Sequence, residues 1–309
     1  METSYENRFT TGARDPQSTV SFGRVPGMKE LDERIERAVG SLPVRYEPRA
    51  GGYSTADRFA VTLADGRSVF VKSAAAPNLA GFLRREHEVY AALTGSFIPA
   101  LVGWDDDGVR PVLAIEDLSD ADWRPRWDEA RVAAVLGALE ELADTTPPPN
   151  TPPVRESFAE LFERWRVVEA DPGPFLSVGL RDRAWLERAL PVILAAVDSA
   201  PVDGDRLCHL DVRSDNLCFR DGRAVLVDWN WTSLANPAVD VAAWLPSLHV
   251  EGGPPPWEIL PDAGALAAWI AGVWAAVVGL PPPATAPKVR DLQRRQLAVA
   301  LEWIDRDLF

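Results

Sequence analysis

The chain has 309 residues, 47% hydrophobic, 9% aromatic and 25% charged, enough for one large domain or two lobes around a substantial core. Acids outnumber bases 46 to 32, a formal net charge of −14 that argues against nucleic acid or an anionic membrane as partner. That balance suits either a cationic small molecule or an acidic surface that only aids solvation. The polar start, Met1 to Arg8, carries no secretion signal. Cys208 and Cys218 lack Cys-x-x-Cys spacing and read as buried thiols of a cytoplasmic protein.

Residues 1 to about 26 show no periodic pattern and read as a mobile arm. From Met28 to Val39, Leu31, Ile35, Ala38 and Val39 mark one face of a short helix. Val44 to Pro48 reads as a strand, followed by the glycine-rich Gly51-Gly52-Tyr53-Ser54-Thr55. Phe59, Val61 and Leu63 then alternate, Asp65-Gly66 turns the chain, and Val69 to Lys72 returns as the second strand of a hairpin. Glycine pairs before strands are common and Gly-x-Gly-x-x-Gly spacing is absent, so position matters more: the turn opens the hairpin that carries Lys72. Lys72 shares a strand face with Phe70, so its stem lies along apolar surface and its charge needs an anion. On the next helix Phe82, Val89 and Leu93 share one face, and Glu86 falls near its centre. A carboxylate in an apolar stripe needs a partner, whereas Glu88 points away into solvent.

Pro111 to Ile115 reads as a buried strand ending in Glu116-Asp117-Leu118-Ser119, where Asp117 and Ser119 suit turn or cap positions. The chain then turns helical, with Asp128 to Ala143, Ser157 to Val168 and Arg183 to Val197 as helices and a polyproline-like spacer from Thr145 to Pro153. The most apolar run, Ala265 to Leu280, has 16 residues against the roughly 20 a bilayer requires, so it reads as a buried helix. A last helix covers Val289 to Ile304, and the acidic end, Glu302 to Phe309, reads as a frayed tail.

The segment Cys208-His209-Leu210-Asp211-Val212-Arg213-Ser214-Asp215-Asn216 carries the most chemistry. It sets Asn216 five residues after Asp211, and Asp228 seventeen after it. Between them, Leu217-Cys218-Phe219, an Asp221-Gly222 turn and Ala224 to Val227 form a hairpin pattern, which returns Asp228 to the side of Asp211 and Asn216. Phosphoryl transfer needs such a set: one carboxylate to orient the attacking hydroxyl, and an Asn and an Asp to hold Mg²⁺ against phosphates.

This ordered set resembles the catalytic and metal-binding loops of the aminoglycoside phosphotransferase and choline kinase families, relatives of the protein kinases. By motifs the resemblance runs from about Gly51 to Asp240. It implies an α+β, bilobal protein-kinase-like fold: an antiparallel β lobe with one key helix (residues 27–117) and a larger, mostly helical lobe (118–309). It implies ATP and Mg²⁺ as cofactors and a small-molecule hydroxyl as acceptor, on an aminoglycoside or other antibiotic, an amino alcohol or a sugar. Carried over residue by residue, Asp211 aligns the hydroxyl, while Asn216 and Asp228 ligate the metal. Arg213, two residues after Asp211, stands where it either neutralises the transferred phosphoryl group or serves as a surface or loop-bracing arginine. Lys72, paired with Glu86, grips the nucleotide phosphates, and Ser54 lies in the loop that covers them. The Glu116 carbonyl and Leu118 amide meet the adenine edge. His209 and Asp240 brace the catalytic loop.

Two positions depart from the pattern. Leu210 replaces a glycine common in the antibiotic kinases, and Asn230 stands where an acid often follows Asp-Trp; both weaken transfer of any specific substrate. A binding-only pseudokinase would normally have lost one of Lys72, Asp211, Asn216 or Asp228. A protein kinase would carry Asp-Phe-Gly and an Ala-Pro-Glu segment, and a metal hydrolase built on His209 would need further His or Cys ligands.

Overall fold

The computed structural model describes residues 28–49, 57–74, 77–123, 126–283 and 286–309. The arm expected over residues 1–26 and the glycine-rich turn with Ser54 lie outside them. Helix α1 (Met28–Val39) leads into five strands, β1 (Pro43–Pro48), β2 (Asp57–Leu63), β3 (Ser68–Ser73), β4 (Leu101–Asp105) and β5 (Val112–Glu116), with α2 (Pro77–Ala92) between β3 and β4. The strands form one antiparallel sheet in the order β1-β2-β3-β5-β4.

Alternation along β3 and β5 divides this sheet into two faces. Val69, Val71, Val112 and Ala114 pack with Ile35 and Val39 of α1. Phe70, Leu113 and Ile115 face the other way, towards α2 and the larger core of the molecule. The continuous apolar run of β5 thus reflects a strand buried on both sides. Lys72 lies opposite Leu113 in register, so it belongs to the second face. The stripe on α2 is centred on Leu83, Glu86, Val89 and Tyr90 and continues to Leu93 just past its end, all buried. Phe82, expected within that stripe, is 37% exposed.

The rest is mostly helical: α3 (Glu129–Ala143), α4 (Val154–Ser157), α5 (Arg164–Ala170), α6 (Gly173–Ser177), α7 (Arg183–Asp198), α8 (Ala238–Val250), α9 (Pro256–Ile259), α10 (Gly264–Ala275) and α11 (Val289–Leu308). Short strands β6 (Arg206–Cys208) and β9 (Ser233–Ala235) pair with each other, as do β7 (Leu217–Arg220) and β8 (Arg223–Leu226). Helix α10 is buried all round, which accounts for its unbroken apolarity, and no described helix is long and apolar enough to cross a membrane.

Two expectations need correction. The helix expected over Ser157 to Val168 is three pieces, α4, a 3-10 turn at Ala159–Glu163, and α5, because Phe158 (φ −139°, ψ 33°) leaves helical geometry. The C-terminal end is docked: Trp303 and Ile304 are buried, and Asp305 takes Arg181 Nη2 at 2.6 Å and Trp185 Nε1 at 2.8 Å. The proline-rich spacer is also tied down, since the Leu234 N–H donates to the Pro152 carbonyl (2.9 Å).

Gly103 of β4 marks where α1 meets the sheet, for a Cβ there would stand 2.2 Å from the Ala38 carbonyl oxygen. Gly103→Ala should therefore destabilise the protein by about 1–3 kcal/mol through overpacking. Chemical denaturation should show a lower midpoint with an unchanged slope, and an unchanged midpoint would mean that α1 shifts freely.

Candidate active site

The β7–β8 hairpin is set by local sequence. Asp221 and Gly222 both take positive φ (52° and 75°), the requirement of a two-residue type I′ turn. Leu217 pairs with Leu226, and beyond that pair the Val227 N–H donates to the Asn216 carbonyl at 2.9 Å. Asn216 thus sits across from Val227 at the open end, with Asp228 next in the chain. Asp228 is left-handed (φ 72°), a conformation costing on the order of 1–3 kcal/mol outside glycine.

That cost is met by a shared cation. Lys72 Nζ lies 2.5 Å from Glu86 Oε1 and 2.7 Å from Asp228 Oδ1. Burial opposes the charge on Lys72, but Asp228 and Glu86 outweigh it and raise its pKa. Burial pushes the Glu86 carboxyl up against the pull of Lys72. Burial pushes Asp228 the same way, yet the Lys72 and Arg58 cations hold it well below the usual carboxylate range, so Asp228 is ionised.

Asp211 lies on the other side of Asn216. Asn216 Nδ2 donates to Asp211 Oδ2 (2.8 Å) and to its carbonyl (3.0 Å). Asp211 Oδ1 is buried and accepts no hydrogen bond, although Arg213 Nη1 approaches it at 3.4 Å. Burial, with the charges of Asp215 and Asp228, pushes Asp211 up to about 8 against the pull of Arg213 and Asn216. Arg213 is itself buried, and its Nε also holds Asp215 Oδ1 at 3.1 Å.

The loop is braced from behind. Asp240, in the first turn of α8, accepts the His209 and Leu210 N–H groups, one on each oxygen, both at 2.7 Å. These bonds hold Leu210 at φ 60°, and burial pushes the Asp240 carboxyl up to about 6. His209 Nδ1 accepts the Asp211 N–H (3.2 Å), and its Nε2 lies 3.1 Å from the Val227 carbonyl. That pattern assigns the proton to Nε2, and burial drops the ring to about 4, so it is neutral. His209 therefore ties the Asp211 loop to the strand end before Asp228.

Glu116 and Leu118 sit where β5 leaves the sheet. The Glu116 carboxylate takes Arg220 Nη1 (2.6 Å) and the Ala100 N–H (3.2 Å). Asp122 and Phe219 exchange N–H···O bonds at 2.9 Å each, so this connection runs along β7. The Leu118 carbonyl takes the Ala121 N–H and the Trp123 indole, and its side chain packs with Cys218 and Val225. Both cysteines are free and buried.

The structure also gives Phe82 a contact other than the core one expected of it, and brings up Glu251, which pattern alone did not single out. Phe82 packs edge-on against Trp231 (centroids 5.5 Å apart), linking α2 to the segment three residues beyond Asp228. Glu251, just past α8, accepts Ser214 Oγ (2.6 Å) and Trp127 Nε1 (2.9 Å) beside the catalytic loop. The aromatic Trp229-x-Trp231 spacing was the available hint for the first; Glu251 had none.

Among the described residues, no three His, Cys, Asp or Glu side chains gather as a metal site. A magnesium ion held partly by phosphates does not need three. Asn216 commits only its nitrogen to Asp211, which leaves Oδ1 for a hard cation, and Asp228 is ionised at the adjacent chain position. The donor set fits such an ion.

The sequence model of the phosphotransferase enzyme family matches residues 45–280. The chain belongs to that family. This phosphotransferase is a small-molecule kinase whose acceptor is a hydroxyl group. No curated protein matches it by sequence. An amicoumacin kinase solved with AMP-PNP, Ca²⁺ and Ami is similar in fold at TM-score 0.57 and 11% identity, covering 90% of this chain and 94% of that one. A spectinomycin phosphotransferase solved with ADP and spectinomycin gives 0.55 and 12%, covering 94% and 99%. A choline/ethanolamine kinase family protein from Mesorhizobium loti gives 0.55 and 15%, covering 90% and 97%. These likenesses establish the protein-kinase-like fold of the phosphotransferase.

Asp240→Ala should remove the acceptors of the His209 and Leu210 amides. Two buried donors would be stranded, while a costly buried carboxylate would also be lost, for a net loss of about 2–4 kcal/mol. Asp240→Asn, keeping one acceptor, should lose less. Equal stability of all three proteins in urea would show that the brace contributes nothing.

Proposed function

We propose that the protein transfers the γ-phosphoryl group of Mg·ATP to a hydroxyl of a small organic molecule. The observation that carries this reading is the single connected chain Asp211–Asn216–Val227–Asp228–Lys72–Glu86, which joins a proton acceptor, two oxygen donors and a phosphate-binding cation. In the reaction, the acceptor oxygen forms a bond to the γ-phosphorus as the bond to the departing ADP oxygen breaks. Asp211 holds the hydroxyl in line through its free Oδ1 and takes the proton late. In its deprotonated form it is a stronger base than a solvated carboxylate, because burial pushes its carboxyl up to about 8.

Asn216 Oδ1 and the Asp228 carboxylate would hold Mg²⁺, which neutralises charge on the phosphates. Lys72, kept in position by Glu86, binds the phosphates, and Arg213 offsets charge on the transferred group. The Glu116 carbonyl and Leu118 N–H read the adenine edge at the junction of an N-terminal lobe (27–117) and a C-terminal lobe (118–309). The acceptor is an antibiotic such as an aminoglycoside, an amino alcohol or a sugar. Similar folds whose names carry such molecules support that range.

ADP release should be followed with Mg·ATP across aminoglycosides, other antibiotics, choline-like amines and sugars. No ADP with any acceptor, together with no thermal stabilisation by Mg·ATP, would leave a non-enzymatic role as the better account. With an acceptor in hand, Asp211→Ala should cut kcat by about 10²-fold or more while ATP affinity stays within a few fold. A loss of ATP binding as deep as the loss of rate would mean that Asp211 is misassigned. Asp228→Ala should weaken ATP binding most at limiting Mg²⁺, and an affinity that ignores magnesium would remove Asp228 from the metal site.

A further inference from the structure

One cation of the cleft has no role in the scheme above. Arg58 stands directly opposite Lys72 in the β2–β3 register. Residues opposite one another in an antiparallel pair project from the same face, with Cβ atoms about 4.5–5.5 Å apart. On β3 that face carries Phe70 and Lys72, and on β5 it carries Leu113 and Ile115; it is turned away from α1. Arg58, Lys72 and Leu113 thus form one row across the sheet, and Lys72 in that row reaches Glu86 and Asp228.

Two cations placed directly opposite in a sheet repel one another. An ordinary sheet has no use for that arrangement. Here Lys72, next to Arg58 in the row, holds two carboxylates, Glu86 and Asp228. Resting on the Mg·ATP reading, Asp228 turns its charge to a divalent cation, and the phosphates that the cation holds come against the row of Lys72 and Arg58. Arg58 is the second residue of β2, so it stands at the end of the strand where β2 begins.

The geometry points to Arg58 as a second phosphate-binding cation, holding the β- and γ-phosphates from the β2 side while Lys72 holds them from β3. A guanidinium suits this place better than an ammonium, because it can meet two phosphate oxygens at once and is less strongly hydrated. The consequence is selectivity for chain length. Arg58 should add affinity for a triphosphate and none for a nucleoside monophosphate.

Calorimetric affinities for Mg·ATP, Mg·ADP and AMP in the wild type, Arg58→Lys and Arg58→Met test this. Arg58→Met should weaken Mg·ATP by about tenfold or more, as expected for one lost hydrogen bond to a charged group, with AMP unchanged and Arg58→Lys intermediate. Unchanged Mg·ATP affinity in Arg58→Met, or an equal loss for ATP and AMP, overturns the inference. The wild type gives an independent readout. Phenylglyoxal labelling of Arg58, mapped by mass spectrometry, should be slowed by Mg·ATP and not by AMP; labelling indifferent to Mg·ATP counts against the contact even where Arg58→Met fails to fold. Absence of Mg·ATP binding to the wild type overturns the nucleotide reading and this inference with it. Normal wild-type binding with an unaltered Arg58→Met overturns this inference alone.

Discussion

The structure turns on one buried ammonium. Lys72 is only 6% exposed, and a charge removed from water so far is tolerated only among opposite charges at hydrogen-bond distance. Its two partners come from separate parts of the chain, Glu86 from α2 and Asp228 from the end of the β7–β8 hairpin. Satisfying Lys72 therefore fixes three elements relative to one another: β3, the helix that follows it, and a hairpin more than 150 residues further on.

The remaining architecture holds those partners where the ammonium needs them. Phe82, one turn before Glu86, rests on Trp231, three residues past Asp228, so an apolar contact accompanies the ionic one between the same two segments. The hairpin is held in turn by the connection after β5, through the Asp122–Phe219 backbone pair and the Glu116–Arg220 ion pair. Behind it, Asp240 secures the left-handed Leu210 and His209 links the loop to Val227. Strained backbone at Leu210 and Asp228 occurs where these supports converge, as expected of residues whose conformation serves a site rather than the fold.

Much of this was legible in the sequence because it is encoded locally. The Asp65-Gly66 and Asp221-Gly222 turns, the alternation around them and the apolar run of β5 follow from short-range rules, and the structure follows them. The Lys72–Glu86 pair could be read because each residue was a charge on an otherwise apolar face. Legibility ended where tertiary contacts decided the outcome. Phe158, Leu161, Phe162, Trp165 and Val168 keep helical spacing, yet Phe158 leaves the helix and Ser157 Oγ instead takes a bond from Ser233 Oγ (3.0 Å). Phe82 looked like a core residue because periodicity cannot tell a core from an exposed flank that meets Trp231. Arg58 went unnoticed because a charge after a loop is unremarkable until its cross-strand neighbour is known.

The two aspartates of the cleft differ more than their proximity suggests. Asp211 is buried and Asp228 partly so, and removal from water by itself drives each towards its neutral form. Asp228 escapes because Lys72 and Arg58 stand beside it, so it remains an anion suited to a hard cation. Asp211 has only the more distant Arg213 and an amide, with the charges of Asp215 and Asp228 pressing on it, and its affinity for a proton rises instead. One cleft thus gives two carboxylates opposite tendencies, one towards metal and one towards a proton, with the nearer cation beside Asp228. That division suits a reaction in which a hydroxyl must lose its proton to one carboxylate while another holds the cation that neutralises the phosphates.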